Sequence, residues 1–389
     1  MIPYGRHNIS EEDIAEVVSV LRSDWITQGP KVPLLESRVK ELCEVEYAIA
    51  VNSATSALHV SCKSLGLAED DWVWTTPNTF TASANCALYC GAKVDFVDIN
   101  PKTYNICTVK LGEKLKISEK NGTLPKILVV VHFAGQPCDM ETIYQLKLRY
   151  GFSIVEDASH SIGGKYKQNA IGNCRYSDIT VFSFHPVKIV TTGEGGIATT
   201  NSKSLAEIME LTRSHGIKKN NRFEDDPEKG DWFYDQLSLG YNYRMTDIGA
   251  ALGISQLSKL QDFLEARQSA AEFYNQNITH PLIQLPFQSK TSLSSWHLYV
   301  VQFIGELNGQ HRKLIYDRMR QSGIGVQVHY IPVHLHKFYR SFGFKKGDFP
   351  IAENYYNKCL TIPLFPGITT KQQRLIIHKL ETLVDEVSK

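Results

Sequence analysis

A nearly continuous apolar run, Ile127-Leu128-Val129-Val130-Val131-His132-Phe133, sets the tightest limit on the fold. A strand with one wet face alternates apolar and polar residues, whereas a strand without that alternation is covered on both faces. The rest of the first half alternates in type around this run. Apolar patterning predicts strands at Tyr47–Val51, Trp72–Thr75, Val94–Ile99, Ser153–Glu156, Ile179–Phe184 and Ile197–Thr200. It predicts helices after Val51, after Pro77 through Leu88, over Met140–Tyr150 and over Leu205–Arg213. This order implies an α/β domain, a mostly parallel sheet with helices on both faces.

Ser10-Glu11-Glu12-Asp13 reads as a capping box, and Ile14, Val17, Val18 and Leu21 follow at helical spacing. The stretch Ser23–Pro30 breaks that helix as a loop. After about Gly249 the pattern changes. A long helical segment over Ile254–Phe273 is followed by a β-rich stretch at Trp296–Phe303, a helix at Arg312–Met319 and a strand at Val326–Ile331. Thr370-x-x-Gln373 reads as the cap of a last helix. The expected organisation is a large α/β domain over residues 1–254 and a smaller C-terminal α+β domain over 255–389, with residues 1–12 packing on the smaller one. Asn220–Asp231 is polar and charged and reads as a flexible loop.

Net charge is +1 over 389 residues, which gives no footprint for nucleic acid or a membrane surface. No stretch reads as a signal peptide or a membrane span. The 8 cysteines are scattered with no Cys-x-x-Cys, which suits buried thiols in a reducing cytoplasm.

Four strand ends carry residues with chemistry. Asn52-Ser53-Ala54-Thr55-Ser56-Ala57 follows one strand and opens a helix. Its small residues, free N–H groups and hydroxyls suit a phosphate, although an ordinary capped helix looks the same. Thr75-Thr76-Pro77-Asn78-Thr79-Phe80 follows the next strand, and Phe80 suits either the core or stacking on a flat ring. Asp157 closes the strand Ser153–Glu156, and a carboxylate buried there needs a positive partner. A protonated pyridine nitrogen would serve, as would an arginine or a turn. His160, three residues on, can reach the same ring or be structural. Lys188 lies in Ser183-Phe184-His185-Pro186-Val187-Lys188-Ile189-Val190, an apolar setting that favours a neutral, nucleophilic amine. Ser183 is placed to touch a phosphate, and Gly193, Gly195 and Gly196 allow close backbone approach. A lysine that captures an aldehyde and a carboxylate that protonates a pyridine are what pyridoxal phosphate (PLP) needs. The fingerprints of dinucleotide and P-loop sites are missing from the sequence.

Together these motifs resemble the DegT family of fold-type-I, PLP-dependent sugar-nucleotide aminotransferases. The resemblance spans essentially the whole chain. It rests on Ser53–Ala57, Pro77–Phe80, Glu156–His160, Phe182–Lys188, Thr192–Gly196 and Gly240-Tyr241-Asn242-Tyr243-Arg244-Met245. It implies Lys188 as the Schiff-base lysine and catalytic base, and Asp157 as the partner of the pyridine nitrogen. It further implies Phe80 as the stacking ring and Ser53, Ala54, Thr55 and Ser183 around the phosphate. His160 stands where many members carry glutamine. Asn242 matches an asparagine that reaches the neighbouring subunit's cofactor, implying a homodimer with shared sites. A related dehydratase has histidine at the lysine position, so Lys188 implies transamination.

Within the family the chain most resembles the branch that aminates a UDP-linked 4-keto-6-deoxy-N-acetylhexosamine in pseudaminic acid synthesis, with L-glutamate as donor. Enzymes for other nucleotide 4-keto or 3-keto sugars, of the perosamine, bacillosamine or viosamine type, are the alternative. That resemblance assigns Trp25, Thr27, Gln28 and Gly29, with His329 and Tyr330, to the nucleotide sugar. Arg244 or Arg213 is expected on a donor carboxylate or the UDP phosphates. His329, His334 and His336 lack a metal-binding frame, so no metal is expected. A non-catalytic PLP-binding regulator would need a DNA-reading element, and the sequence shows none.

Overall fold

The computed structural model describes residues 1–218, 230 and 232–389. The expected loop at Asn220–Asp231 falls, but for Gly230, outside the described residues.

The first half builds a seven-stranded sheet from β1 (Tyr47–Val51), β2 (Trp72–Thr75), β3 (Lys93–Phe96), β4 (Ile127–Val131), β5 (Ser153–Asp157), β6 (Ile179–Ser183) and β7 (Gly196–Thr200). The spatial order is β1-β7-β6-β5-β4-β2-β3. β7 runs antiparallel to both neighbours, β1 and β6, and the remaining pairs are parallel. The apolar run is the interior strand β4, between β5 and β2 and buried along its length. Its side chains alternate between two cores. Leu128 and Val130 pack with Leu35, Val39, Ile143 and Phe182 on one face. Ile127 and Val129 pack with Ile49, Leu58, Val60 and Val181 on the other. Each such aliphatic contributes about 1.5–3 kcal/mol when fully buried, so the double burial is why β4 tolerates no polar alternation.

The second half forms a three-stranded antiparallel sheet from Ile283–Gln284, Tyr299–Phe303 and Cys359–Ile362, with its own apolar core. Helices Leu260–Asn277, Gly309–Gln321 and Thr370–Val387 cover it. The N-terminus joins this unit. Ile2 N donates to Gly323 O at 2.7 Å, Gly325 N donates to Ile2 O at 2.6 Å and Leu364 N donates to Tyr4 O at 3.0 Å.

Three details differ from the sequence reading. The long helix is two helices, Asp247–Ser258 and Leu260–Asn277, broken at Lys259. The first packs on helices Glu11–Leu21 and Lys31–Cys43, while Lys259 Nζ pairs with the buried Asp13 at 2.5 Å. Residues 326–331 form no strand. Gln327 makes one bridge to Thr361, and the chain then leaves the sheet. The last helix is capped one residue earlier, by Thr369 with Gln372. No helix among the described residues is long and apolar enough to cross a membrane.

Candidate active site

Parallel strands end on one edge of their sheet, where loops hold side chains over a crevice. A cavity of about 460 Å³ lies at that edge. Ser53, Ala54 and Thr55 reach it from the end of β1, and Phe80 from the loop after β2. Asp157 and His160 reach it from β5, and Ser183 and Lys188 from β6. His329 and Tyr330 complete it from the C-terminal unit, along the segment that leaves the small sheet. His329 Nδ1 pairs with Thr361 Oγ1 at 2.8 Å, and Tyr330 N donates to Asn78 Oδ1 at 3.3 Å, which anchors the two side chains there.

The cup at Ser53 is a helix N-terminus with donors to spare. Ser53 caps helix Ala54–Ser64 by accepting from Ser56 N at 3.1 Å. Ala54 and Thr55 lie in the first turn, where N–H groups have no acceptor within the helix, and both residues line the cavity. β7 begins here at Gly196, opposite both Val51 and Ser183. A Cβ on Gly196 would lie 2.5 Å from Ala54 N, so only glycine lets the cup form.

Asp157 is buried, and both of its oxygens accept hydrogen bonds. Ser159 N and Oγ donate to Oδ1 at 3.1 and 2.5 Å, and Ser83 Oγ donates to Oδ2 at 2.6 Å. Lys188 makes no side-chain hydrogen bond or ion pair among the described residues. Burial pulls its amine down to about 8, against the opposing pull of the Asp157 carboxylate. Burial also pushes His160 well below the ordinary histidine range, with help from Lys188 and His329, so its ring is neutral. Its Nδ1 accepts from Ala134 N at 3.2 Å, which puts the proton on Nε2. Nε2 therefore donates to the Tyr330 hydroxyl, 3.1 Å away. Tyr330 keeps its own proton free for another acceptor. Burial, reinforced by Lys188, lowers His329 to about 3.

The other residues singled out in the sequence do not line this cavity. Trp25, Thr27, Gln28 and Asn242 are exposed, and Gly29 and Arg244 are half-buried. They form a second, contiguous region. Thr27 bridges Thr246, Gly29 N donates to Asp247 Oδ2 at 2.8 Å, Asn242 bridges Ser214, and Arg244 Nη1 donates to Ser214 Oγ at 3.2 Å. Arg213 points inward, its Nη1 donating to Glu36 at 2.5 Å and to Ala50 O at 2.7 Å.

Sequence reading missed several wall or support residues. Tyr4, His185 and Glu194 line the cavity. His297 packs against His160 with ring centroids 4.4 Å apart. Ser83 and Asp157 are 74 positions apart, so no local pattern links them.

PLP needs an amine, a carboxylate, a ring-stacking face and a phosphate cup. Lys188, Asp157, the 61 % exposed Phe80 and the Ser53–Thr55 turn supply groups of those four kinds on one cavity. A parallel sheet carrying such a site at its strand ends defines a fold-type-I PLP enzyme of the aminotransferase class. The model of the DegT/DnrJ/EryC1/StrS aminotransferase family matches residues 7–381, and the chain belongs to that family. It is 37% identical over 393 residues to the Campylobacter jejuni UDP-4-amino-4,6-dideoxy-N-acetyl-beta-L-altrosamine transaminase, covering 100% of this chain and 99% of that one. The sugar aminotransferase Spr1654 of Streptococcus pneumoniae, solved in a PMP-form, superposes with a TM-score of 0.91 at 30% identity, covering 100% of both chains. Helicobacter pylori PseC, an aminotransferase of pseudoaminic acid biosynthesis, superposes with a TM-score of 0.90 at 29% identity, covering 99% of both chains. This chain is thus a PLP-dependent aminotransferase of nucleotide sugars.

Proposed function

We propose that the protein transfers an amino group from L-glutamate to a UDP-linked 4-keto-6-deoxy-N-acetylhexosamine, giving a UDP-4-amino-4,6-dideoxy sugar of the pseudaminic acid type. One observation carries the assignment of roles: a desolvated lysine, unpartnered among the described residues, shares a cavity wall with a buried carboxylate and a helix N-terminal cup. The likeness to the Campylobacter jejuni transaminase supports the choice of sugar.

Bound PLP supplies an aldehyde that captures amines and a ring that accepts the electron pair left when a carbon gives up its proton. Lys188 holds the cofactor at rest and, once released, moves the proton at the substrate carbon with Nζ. An amine titrating near 8 is neutral often enough at neutral pH to do both. Asp157 keeps the pyridine nitrogen protonated, Phe80 covers the ring, and Ser53, Ala54, Thr55 and Ser183 hold the phosphate. His160 binds beside the ring, and His329 and Tyr330 face the sugar.

The second region, with Trp25, Thr27, Gln28, Gly29, Asn242 and Arg244, acts in a homodimer. Trp25 and Leu239, 56% and 75% exposed, are large apolar side chains that a subunit interface would cover. From there Asn242 reaches the partner's phosphate cup, and Trp25–Gly29 and Arg244 reach the nucleotide sugar. The protein works in the cytoplasm, where sugar nucleotides and glutamate are at hand.

The experiment is a panel of UDP- and dTDP-linked 4-keto sugars with glutamate as donor, run beside borohydride trapping and peptide mapping. The reading expects the cofactor fixed on Lys188 and the UDP-N-acetyl sugar turned over fastest. Turnover of amino acids alone, with every sugar inert, would overturn it.

A further inference from the structure

The Asp157 carboxylate has about four acceptor positions, two on each oxygen. Ser159 fills both on Oδ1, one with its N–H and one with its hydroxyl. Ser83 fills one on Oδ2 at 2.6 Å. The one position left is therefore on Oδ2, the oxygen that Ser83 holds. Ser83 in turn lies 2.7 Å from Thr79 Oγ1. Its own proton is committed to the carboxylate, so Thr79 must be the donor in that pair. The result is a one-way chain from Thr79 O–H to Ser83 O–H to Asp157 Oδ2. All three residues are buried, with Ser83 fully so. In such surroundings successive hydrogen bonds strengthen one another. Thr79 and Ser83 are four positions apart, and Thr79 directly precedes Phe80. The chain thus ties the Phe80 loop to the Asp157 carboxylate.

We propose that Ser83, backed by Thr79, is a positioning residue that holds the Asp157 carboxylate and aims the free position of Oδ2 at the pyridine nitrogen. The proposal rests on the reading that the ring nitrogen meets Asp157. A hydroxyl donated to a carboxylate stabilises its charged form and lowers its proton affinity. The shared proton then stays on the nitrogen. Without Ser83, Oδ2 becomes more basic and its side chain loses a restraint, so the proton moves toward oxygen.

The test uses holoenzyme loaded with PLP carrying 15N in the ring. In the wild type the nitrogen resonance should sit at the protonated position. In Ser83→Ala it should move toward the neutral-pyridine position, with kcat down about tenfold and KM for the sugar within about twofold, the scale set by losing one hydrogen bond to a charged group. Ser83→Thr, which keeps the hydroxyl, should restore both. If Ser83→Ala does not fold, Thr79→Val must move the resonance in the same direction by a smaller amount. A resonance that does not move in a variant whose cofactor still traps on Lys188 overturns the proposal. Wild-type enzyme whose cofactor does not trap on Lys188 overturns instead the reading beneath it.

Discussion

Lys188 illustrates how the environment of a single residue turns an ordinary side chain into a reagent. A solvated lysine titrates near 10.4, and burial here brings the amine to about 8. The sign of the pH effect follows directly. Below about 8 the amine is protonated and cannot attack the aldehyde; above it the neutral nucleophile predominates. The rate at which apoprotein captures PLP, followed by its visible absorption, should rise about tenfold per pH unit below 8 and level off above it. Asp157→Asn removes the charge that holds the amine up, so the midpoint should move to lower pH; a midpoint near 10 in the wild type would refute the assignment. The neutral His160 gives a second prediction. Because Nε2 donates to the Tyr330 hydroxyl, the Tyr330 proton is left for the substrate. Tyr330→Phe should then lower kcat/KM for the sugar up to about tenfold, the loss of one hydrogen bond, with PLP affinity unchanged. Loss of PLP instead would place Tyr330 on the cofactor.

At the scale of elements, the cup is a contact between two backbones rather than a set of side chains. Gly196 starts β7 against the first turn of helix Ala54–Ser64, and a methyl group would press on Ala54 N at 2.5 Å and Ser53 C at 2.6 Å. Neither backbone is free to move, because β7 is paired on both sides. Gly196→Ala should therefore weaken PLP binding about ten- to a hundredfold, from about 1–3 kcal/mol of overpacking, while the thermal transition of the apoprotein falls by only a few degrees. Titration of the apoprotein with PLP measures this, and an unchanged Kd would show that the phosphate lies elsewhere. The strands and the residues at their ends were legible in the sequence because burial on both faces leaves an uninterrupted apolar mark. The element ends were less so. Residues 326–331 have strand composition, yet after one bridge from Gln327 to Thr361 the chain turns toward the cavity, where Tyr330 N donates to Asn78 Oδ1. At the break, Lys259 pairs with Asp13, on a helix 246 positions away, and no local pattern announces that partner. Ser83 and His297 were invisible for the same reason: their partners are distant in sequence, and neither lies in a motif that names its chemistry.

For the whole molecule the question is which chain completes which site. Asn242 and the Trp25–Gly29 loop share a surface region outside the lining of their own chain's cavity, although Asn242 O accepts from Asn52 Nδ2 beside the cup, and both are placed by bridges to the segment around Ser214 and Thr246. In a homodimer with an isologous interface, a residue unable to serve its own cavity can serve the partner's, and the two cavities are completed reciprocally. This makes a subunit-mixing prediction that separates the two arrangements. Lys188→Ala removes the amine from its own cavity. Asn242→Asp puts a negative charge where the asparagine would meet a phosphate; Asn242 is exposed within its own chain, so the carboxylate carries little folding cost there. Each homodimer should be inactive. If sites are shared, a mixed dimer holds one cavity with Lys188 intact and the asparagine supplied by the other subunit, and one cavity lacking both. Random reassociation of equal amounts makes about half the dimers mixed, so activity should return to about a quarter of the wild-type level. If Asn242 serves its own chain, every cavity in the mixed dimer lacks one group and no activity returns. Unfolding and refolding the mixture, then assaying the sugar product, reads the answer, and recovery that stays at the homodimer background would confine each site to one chain.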